Sequence, residues 1–161
     1  FYSLVISLGG SDTYGVMELI YPFLKKESMQ ITTCLGPNYK HSIPESSSCN
    51  IKIKQSVPSL VHELSKHDIA ITSGGITALE SASLGLATFT IANELHEIPL
   101  CKSLSGLGCT RDLGYYKNIN FGSLIPLIRS MPKSTLSERG YHLITPHSID
   151  NVVSKLLSLQ S

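Results

Sequence analysis

The stretch "HDIAITSGGITALESASLG", His67 to Gly85, decides the fold of this chain. Its first part, "DIAIT", is short, apolar and bounded by a turn signal, as expected of a buried strand. Two glycines follow, and a helix-like segment of small and apolar residues begins directly after them with a single acid, Glu80. A strand, a glycine turn and a helix in immediate succession are typical of a parallel sheet with helical crossovers.

The same order recurs on both sides of this stretch. Apolar runs predict further strands at 2–7, 29–35, 50–54, 87–92 and 109–111. The strand at 50–54 alternates between apolar and polar residues, as expected of an exposed or edge strand. Helical spacing is found at 16–24, 59–67, 98–104, 121–130, 135–144 and 148–159. We therefore expect an α/β fold, a Rossmann-like, doubly wound, mainly parallel sheet of about six strands with helices on both faces.

Composition narrows the function classes. The formal net charge is +1 with Lys and Arg dispersed, which argues against a nucleic-acid footprint or a polybasic membrane patch. No run approaches the roughly 18 apolar residues of a membrane span. The four cysteines form no C-x-x-C pair and the six histidines no H-x-x-x-H pair, so no metal site or cofactor is predicted. We expect free thiols in a reducing, cytoplasmic compartment.

The length of 161 residues suits one domain, and no internal boundary is visible. The sequence starts at Phe1, without a Met and already inside a predicted strand. We therefore expect residues 1–161 to form a single domain that is a fragment of a longer protein, whose N-terminal half is absent.

Two glycine turns, "SLGGSD" and "TSGGIT", follow predicted strands. In such a sheet ligands bind beyond the carboxyl ends of the strands. A helix that begins directly after a strand leaves its first N–H groups without partners, and glycines allow a phosphate to approach them. Alternatively, the glycines only provide a positive φ or close packing of helix on sheet. Neither turn is a G-x-G-x-x-G or a G-x-x-x-x-G-K-[ST] motif, which disfavours an oxidoreductase or a Walker loop.

Glu80 is the only acid between Asp68 and Glu94. A carboxylate near a helix N-terminus is favoured by the helix dipole, so a structural role is one explanation. The other is a ligand: one helical turn from a phosphate cradle, its two oxygens are placed to accept hydrogen bonds from the vicinal hydroxyls of a ribose.

Together, "ISLGGSD", "DIAITSGGITALESASLGLATFTI" and "LSGLG" resemble the C-terminal, nucleotide-sugar-binding half of GT-B fold proteins. The likeness runs from about Val5 to Gly108, and its strongest element is D-x-A-I-x-x-G-G-x-T-x-x-E-x-x-x-L-G. It is closest to the UDP-sugar hydrolase of pseudaminic acid biosynthesis and its spore-coat-polysaccharide relatives. The lipid II N-acetylglucosaminyltransferase is a more distant relative.

The resemblance implies a UDP-sugar or UDP as ligand and assigns residues to its parts. The diphosphate would be held by the two glycine turns, at Ser73, Gly74, Gly75, Thr77, Gly9, Gly10 and Ser11. The ribose would be bound by Glu80, the uracil framed by Ser56, Val57 and Leu60, and the sugar contacted by Asn93 and His96. The absent N-terminal half would be the second partner, closing over the substrate.

The sequence also departs from the family. Where relatives carry an Asn-Gln pair that reaches the sugar, this chain has "NELHE", so that Asn93 fits but Leu95 or His96 replaces the Gln. A late D-G-x-G segment is replaced by "TPHS", 145–148. The hydrolase's proposed catalytic histidine belongs to the absent half. His96 and Glu97 are the remaining catalytic candidates, against the alternative of an exposed surface pair, and Asp12 is expected to be a helix-start acid.

Three functions remain open at this point. The first is a hydrolase or glycosyltransferase of surface polysaccharide or nonulosonic acid biosynthesis, of which this fragment alone would be inactive. The second is a non-catalytic nucleotide-binding or assembly module attached to another catalytic domain. The third, a Rossmann-like oxidoreductase, is disfavoured because the dinucleotide fingerprint is missing.

Overall fold

The computed structural model of the protein describes residues 2–42 and 50–145. Its centre is a sheet of six strands in the order β3-β2-β1-β4-β5-β6, and every neighbouring pair is parallel. The strands are β1 Leu4–Ser7, β2 Ile31–Leu35, β3 Ile51–Gln55, β4 Ile69–Ser73, β5 Ala87–Ala92 and β6 Arg111–Tyr115. The strand order changes direction between β1 and β4, as in doubly wound sheets that bind ligands at this switch point.

Helices connect the strands. They are α1 Val16–Leu24, α2 Leu60–Leu64, α3 Ile76–Ser83, α4 Ile98–Gly106, α5 Leu124–Ser130 and α6 Lys133–Leu143. Short 3₁₀ turns precede α4, follow β6 and precede α5, at Leu95–Glu97, Tyr116–Asn118 and Phe121–Ser123. None of the helices in the described part of the chain has the length and hydropathy needed to cross a bilayer.

The sheet is buried on both faces because its strands are apolar on both sides. On one face Leu4 and Ile6 of β1 lie in a cluster with Met17 and Ile20 of α1, together with residues of α5. On the other face Val5 lies with Leu64 of α2 and their neighbours. Continuous apolar runs such as "LVIS" and "IAITS" are thus explained by two-sided burial, as is usual for parallel strands.

The predicted architecture is confirmed, including the edge position of the third strand. One boundary differs: the strand predicted at 109–111 is β6, Arg111–Tyr115, because Cys109 and Thr110 belong to the buried lead-in from α4. The helix predicted at 148–159 lies outside the described residues, as does most of "TPHS".

Candidate functional site

The second glycine turn connects β4 directly to α3. Ser73 ends the strand, Gly75 is the N-cap residue, and α3 begins at Ile76. No side chain caps the helix, so neither Ser73 nor Thr77 takes the capping role. The first N–H groups of α3 therefore have no partner within the helix and lie at the carboxyl edge of the sheet.

The two glycines of this turn have different reasons to be glycine. A Cβ added to Gly74 would overlap Sγ of Cys101 and lie 2.8 Å from Cβ of Glu97. Gly74 thus allows the turn to pack against α4. A Cβ added to Gly75 would meet only Oγ of Ser73, at 3.9 Å, and its φ of −111° is open to any residue. Packing explains Gly74, whereas neither packing nor backbone conformation explains Gly75.

The first glycine turn lies beside the second. β1 pairs with β4, with Ser7 opposite Thr72, and a Cβ added to Gly9 would be 3.4 Å from Oγ of Ser73. Gly9 has a φ of +88°, which requires glycine, whereas the space around Gly10 is open. The two turns therefore meet at the switch point, as their positions in the sequence predict.

The first glycine turn differs from the second in that no helix begins directly behind it, in agreement with the helical spacing predicted from residue 16. α1 starts only at Val16, and its first amides are already occupied: the N–H groups of Val16 and Met17 each donate to the Asp12 carboxylate at 2.9 Å. Asp12 is only 4% exposed. Burial raises the pKa of this carboxyl, and the two amide hydrogen bonds oppose that rise. Asp12 is thus a helix-start acid, and α1 has no free N-terminus for an anion.

One pocket joins the predicted diphosphate and base residues. It has a volume of about 150 Å³. It is lined by Gly9 and Gly10 of the first turn, by Thr77 of α3 and by the predicted base residues Ser56, Val57 and Leu60. We call it the switch-point pocket, and no charged side chain of residues 2–42 and 50–145 lines it. Ser11 does not line this pocket but a second one.

The wall opposite α3 comes from residues that sequence reasoning missed. Cys34, Leu35, Gly36 and Pro37, at the end of β2, line the switch-point pocket. A Cβ added to Gly36 would overlap the backbone of Gly10, so these two turns touch through their main chains. Burial raises the pKa of Cys34 to about 11, so its protonated thiol serves as an apolar wall. A Gly-Pro pair directly after a strand was the available signal for this wall.

Glu80 lies one helical turn after Thr77 and is partly exposed. Within residues 2–42 and 50–145 its carboxylate forms neither an ion pair nor a hydrogen bond, and it does not line the switch-point pocket. No contact among the described residues therefore gives this carboxylate a structural role.

The residues predicted near the sugar have separate roles. Asn93 follows β5, is 5% exposed, and donates from Nδ2 to the carbonyl oxygen of Leu8 at 3.1 Å. Its buried Oδ1 has no hydrogen-bond partner among the described residues. Asn93 thus ties the end of β5 to the start of the first glycine turn.

The two catalytic candidates are not equivalent. Glu97 accepts hydrogen bonds at Oε2 from the N–H groups of Asn93, at 2.7 Å, and Glu94, at 3.2 Å, and so closes the turn after β5. The side chain of His96 is 76% exposed, with Nδ1 3.3 Å from Oε2 of Glu94. Glu97 is therefore committed to the backbone, and His96 lies at the surface.

No group of three or more His, Cys, Asp or Glu side chains within 2–42 and 50–145 is arranged to hold a metal ion. Within the described part of the chain the lining side chains of the switch-point pocket carry no charge, so the groups there that could bind an anion are backbone amides and hydroxyls.

Neither a protein-family model nor a curated protein matches the sequence. Solved structures do match. MurG of Acinetobacter baumannii superposes with a TM-score of 0.74 at 14% identity, covering 98% of this chain and 50% of that one. CalG4, the calicheamicin glycosyltransferase, gives 0.71 at 16% identity over 88% of this chain and 36% of that one. UGT89C1 of Arabidopsis thaliana, complexed with UDP, superposes with a TM-score of 0.70 at 12% identity, covering 88% of this chain and 37% of that one. The chain spans half or less of these proteins, and its fold is that of the Rossmann-like half of GT-B glycosyltransferases.

Proposed function

We propose that this chain is the nucleotide-sugar-binding half of a GT-B enzyme that uses a UDP-sugar. The observation that carries the proposal is the switch-point pocket, where Gly9 and Gly10, Thr77, and the segment containing Ser56 and Leu60 come together. The resemblance of the sequence to GT-B proteins assigns these three groups to one ligand.

The diphosphate would lie at the N-terminus of α3. Ile76 and Thr77 offer N–H groups without intrahelical partners, and the open side of Gly75 allows a phosphate to approach them. No charged side chain of the described residues lines the pocket. The positive potential would therefore come from the first amides and the dipole of α3, together with the backbone of Gly9 and Gly10 across the switch point.

Glu80 would bind the ribose. Its carboxylate has no partner in the described residues and follows Thr77 by one turn, so it is free to accept two vicinal hydroxyls. The base would lie against Val57 and Leu60, with Cys34 and Leu35 as the apolar wall. The UDP complex of the similar Arabidopsis enzyme supports a pyrimidine as the base.

Two reactions fit this proposal. In a hydrolase, the oxygen of water bonds to the anomeric carbon, the bond from that carbon to the β-phosphate oxygen breaks, and UDP leaves with the electron pair. The proton of water passes to a base. In a glycosyltransferase, the hydroxyl of an acceptor replaces water. Surface polysaccharide or nonulosonic acid biosynthesis is the pathway context that the sequence resemblance supports.

A second candidate is a non-catalytic nucleotide-binding or assembly module. The positions of the two catalytic candidates favour this module. The Glu97 carboxylate is hydrogen-bonded to backbone amides of the turn after β5, and the His96 side chain lies at the surface. In the enzyme proposal, the base is supplied by the other half of the protein, which closes over the sugar.

The test is a titration with UDP followed by amide chemical shifts. We expect the largest changes at Gly75, Ile76, Thr77 and Glu80, with a second group at Ser56 and Val57. Changes confined to surface lysines, or none at all, would contradict nucleotide binding at this site. Turnover of a UDP-sugar by the whole protein separates the two candidates. The enzyme proposal expects turnover, and the module proposal expects none.

A further inference from the structure

A second hollow lies at the same carboxyl edge of the sheet, next to the switch-point pocket. It has a volume of about 440 Å³ and is lined by Ser11, Thr13, Asn38, Lys40 and His41. We call it the cationic hollow. Two residues come from the loop after β1 and three from the loop after β2, so the same loops that border the switch-point pocket also form the hollow.

The hollow is held in shape by the backbone. The N–H of Asn38 donates to the carbonyl oxygen of Gly10 at 2.9 Å. The backbone of Gly36 is in direct contact with that of Gly10, so the two loops are packed against each other. Tyr39, between Asn38 and Lys40, is buried in the main core. Because Tyr39 anchors its loop from within, the residues on either side of it are turned toward the surface.

The chemistry of the lining favours an anion. The ammonium group of Lys40 has no ion pair or hydrogen bond to any described residue. The hydroxyls of Ser11 and Thr13 lie 3.0 Å apart, and Asn38 adds an amide. His41 lies near the Glu18 carboxylate, with 4.0 Å between Nδ1 and Oε2. Among the described residues, no carboxylate lines the hollow.

The neighbouring acids are already engaged. Oε1 of Glu18 accepts from the N–H of Ser42 at 3.0 Å, and both oxygens of Asp12 are occupied by the first amides of α1. Oε1 of Glu94 accepts from the hydroxyl of Thr13 at 3.5 Å. These carboxylates keep their charge, but none of them forms an ion pair with Lys40, so the hollow presents hydrogen-bond donors and one ammonium group that has no ion-pair partner among the described residues.

We propose that the cationic hollow binds an anionic group, a phosphate or a carboxylate, of the acceptor substrate. The proposal rests on the proposed function, which places a nucleotide in the switch-point pocket. The two sites share no lining residue, so an anion in the hollow would lie beside the nucleotide instead of competing with its diphosphate. An acceptor site favours the transferase over the hydrolase, whose second substrate is water.

The experiment titrates the protein with inorganic phosphate, and separately with acetate, at constant ionic strength and with saturating UDP. We expect amide shifts at Ser11, Thr13, Asn38, Lys40 and His41. Lys40→Gln should weaken phosphate binding about tenfold, since it removes one charge-assisted contact. The matched control is Lys117→Gln, because Lys117 is also exposed at the carboxyl edge but does not line the hollow. It should leave the affinity unchanged.

Three outcomes would overturn the proposal. If phosphate shifts these amides only when UDP is absent, the anion bound there is the nucleotide's own diphosphate. Equal losses in the two lysine variants would show that only the overall charge matters. Absence of shifts at any of the five residues would show that the hollow binds no anion. Each outcome is separate from the UDP response at Ile76 and Thr77, so failure of this proposal is distinct from failure of nucleotide binding.

Discussion

The backbones of Gly10 and Gly36 are in direct contact at the carboxyl edge of the sheet. A Cβ on Gly36 would overlap Gly10, while a Cβ on Gly10 would meet no heavy atom within 4 Å. This contact brings the loops after β1 and β2 together. Gly10 and Gly36 line the switch-point pocket, and residues that follow them in the same two loops line the cationic hollow.

Gly36→Ala should therefore destabilise the protein. The added methyl group meets backbone, which has no other rotamer to adopt, so we expect a loss of about 3 kcal/mol in the free energy of unfolding, measured in urea. Gly10→Ala is the matched control, with a change within about 0.5 kcal/mol. A similar stability for the two variants would contradict the contact.

The two glycines before α3 should also differ. Gly74→Ala forces a methyl group against Cys101 and Glu97, and should cost about 1–3 kcal/mol. Gly75→Ala should cost at most about 1 kcal/mol, the difference between N-cap residues, yet lower the affinity for UDP because its methyl group stands where the phosphate approaches. If a folded Gly75→Ala protein binds UDP with unchanged affinity, the phosphate does not lie beside Gly75.

Glu80 should contribute to ribose binding alone. We expect Glu80→Gln to weaken UDP about tenfold, since it replaces a charged acceptor of two hydroxyl hydrogen bonds, while the affinity for pyrophosphate stays unchanged. Calorimetric titration of both ligands measures this. Equal losses for UDP and pyrophosphate would show that the substitution disturbs the site as a whole and would contradict the ribose role, and no loss for either would leave Glu80 without a role at the site.

Stability should depend on pH through Glu63. Its side chain is 7% exposed, and Lys54 and Lys66 donate to it at 2.6 and 3.0 Å. The hydrogen bond from Lys54, followed by that from Lys66, lowers the pKa of Glu63 to about 2, against the desolvation that raises it.

Because the folded pKa lies below the unfolded value of 4.5, the contribution of Glu63 is fully present above pH 4.5 and is lost as the pH falls toward 2. We expect a loss of about 1–2 kcal/mol over this range, discounted from the full shift because both lysines are partly solvated. Urea unfolding at pH 6 and pH 3 measures it. Glu63→Gln should flatten this dependence, and an equally steep fall in the variant would contradict the assignment.

The sequence predicted those features that depend on local pattern. Apolar runs such as "IAITS" and "ATFTIA", each followed by helical spacing, were sufficient for the six parallel strands, since two-sided burial requires apolar residues on both faces. The adjacency of the two glycine turns follows from the topology of such a sheet. The pocket shared by Thr77 and the predicted base residues is consistent with the resemblance to GT-B proteins.

Features that depend on distant contacts were missed or misjudged. Asp12 was predicted to be a helix-start acid, but the sequence did not reveal that the amides of Val16 and Met17 occupy both of its oxygens. Similarly, the contact of Gly36 with Gly10 joins residues that are far apart in the sequence. Glu97 was a catalytic candidate from its neighbourhood, but its engagement with the amides of Asn93 and Glu94 is visible only in three dimensions.

The most direct test of the central claim is a crystal structure of the protein with UDP. We expect the diphosphate within hydrogen-bonding distance of the N–H groups of Ile76 and Thr77, and the ribose hydroxyls on the Glu80 carboxylate. The uracil should lie against Val57 and Leu60. A diphosphate bound instead to Lys40, or UDP found away from the switch-point pocket, would contradict the account.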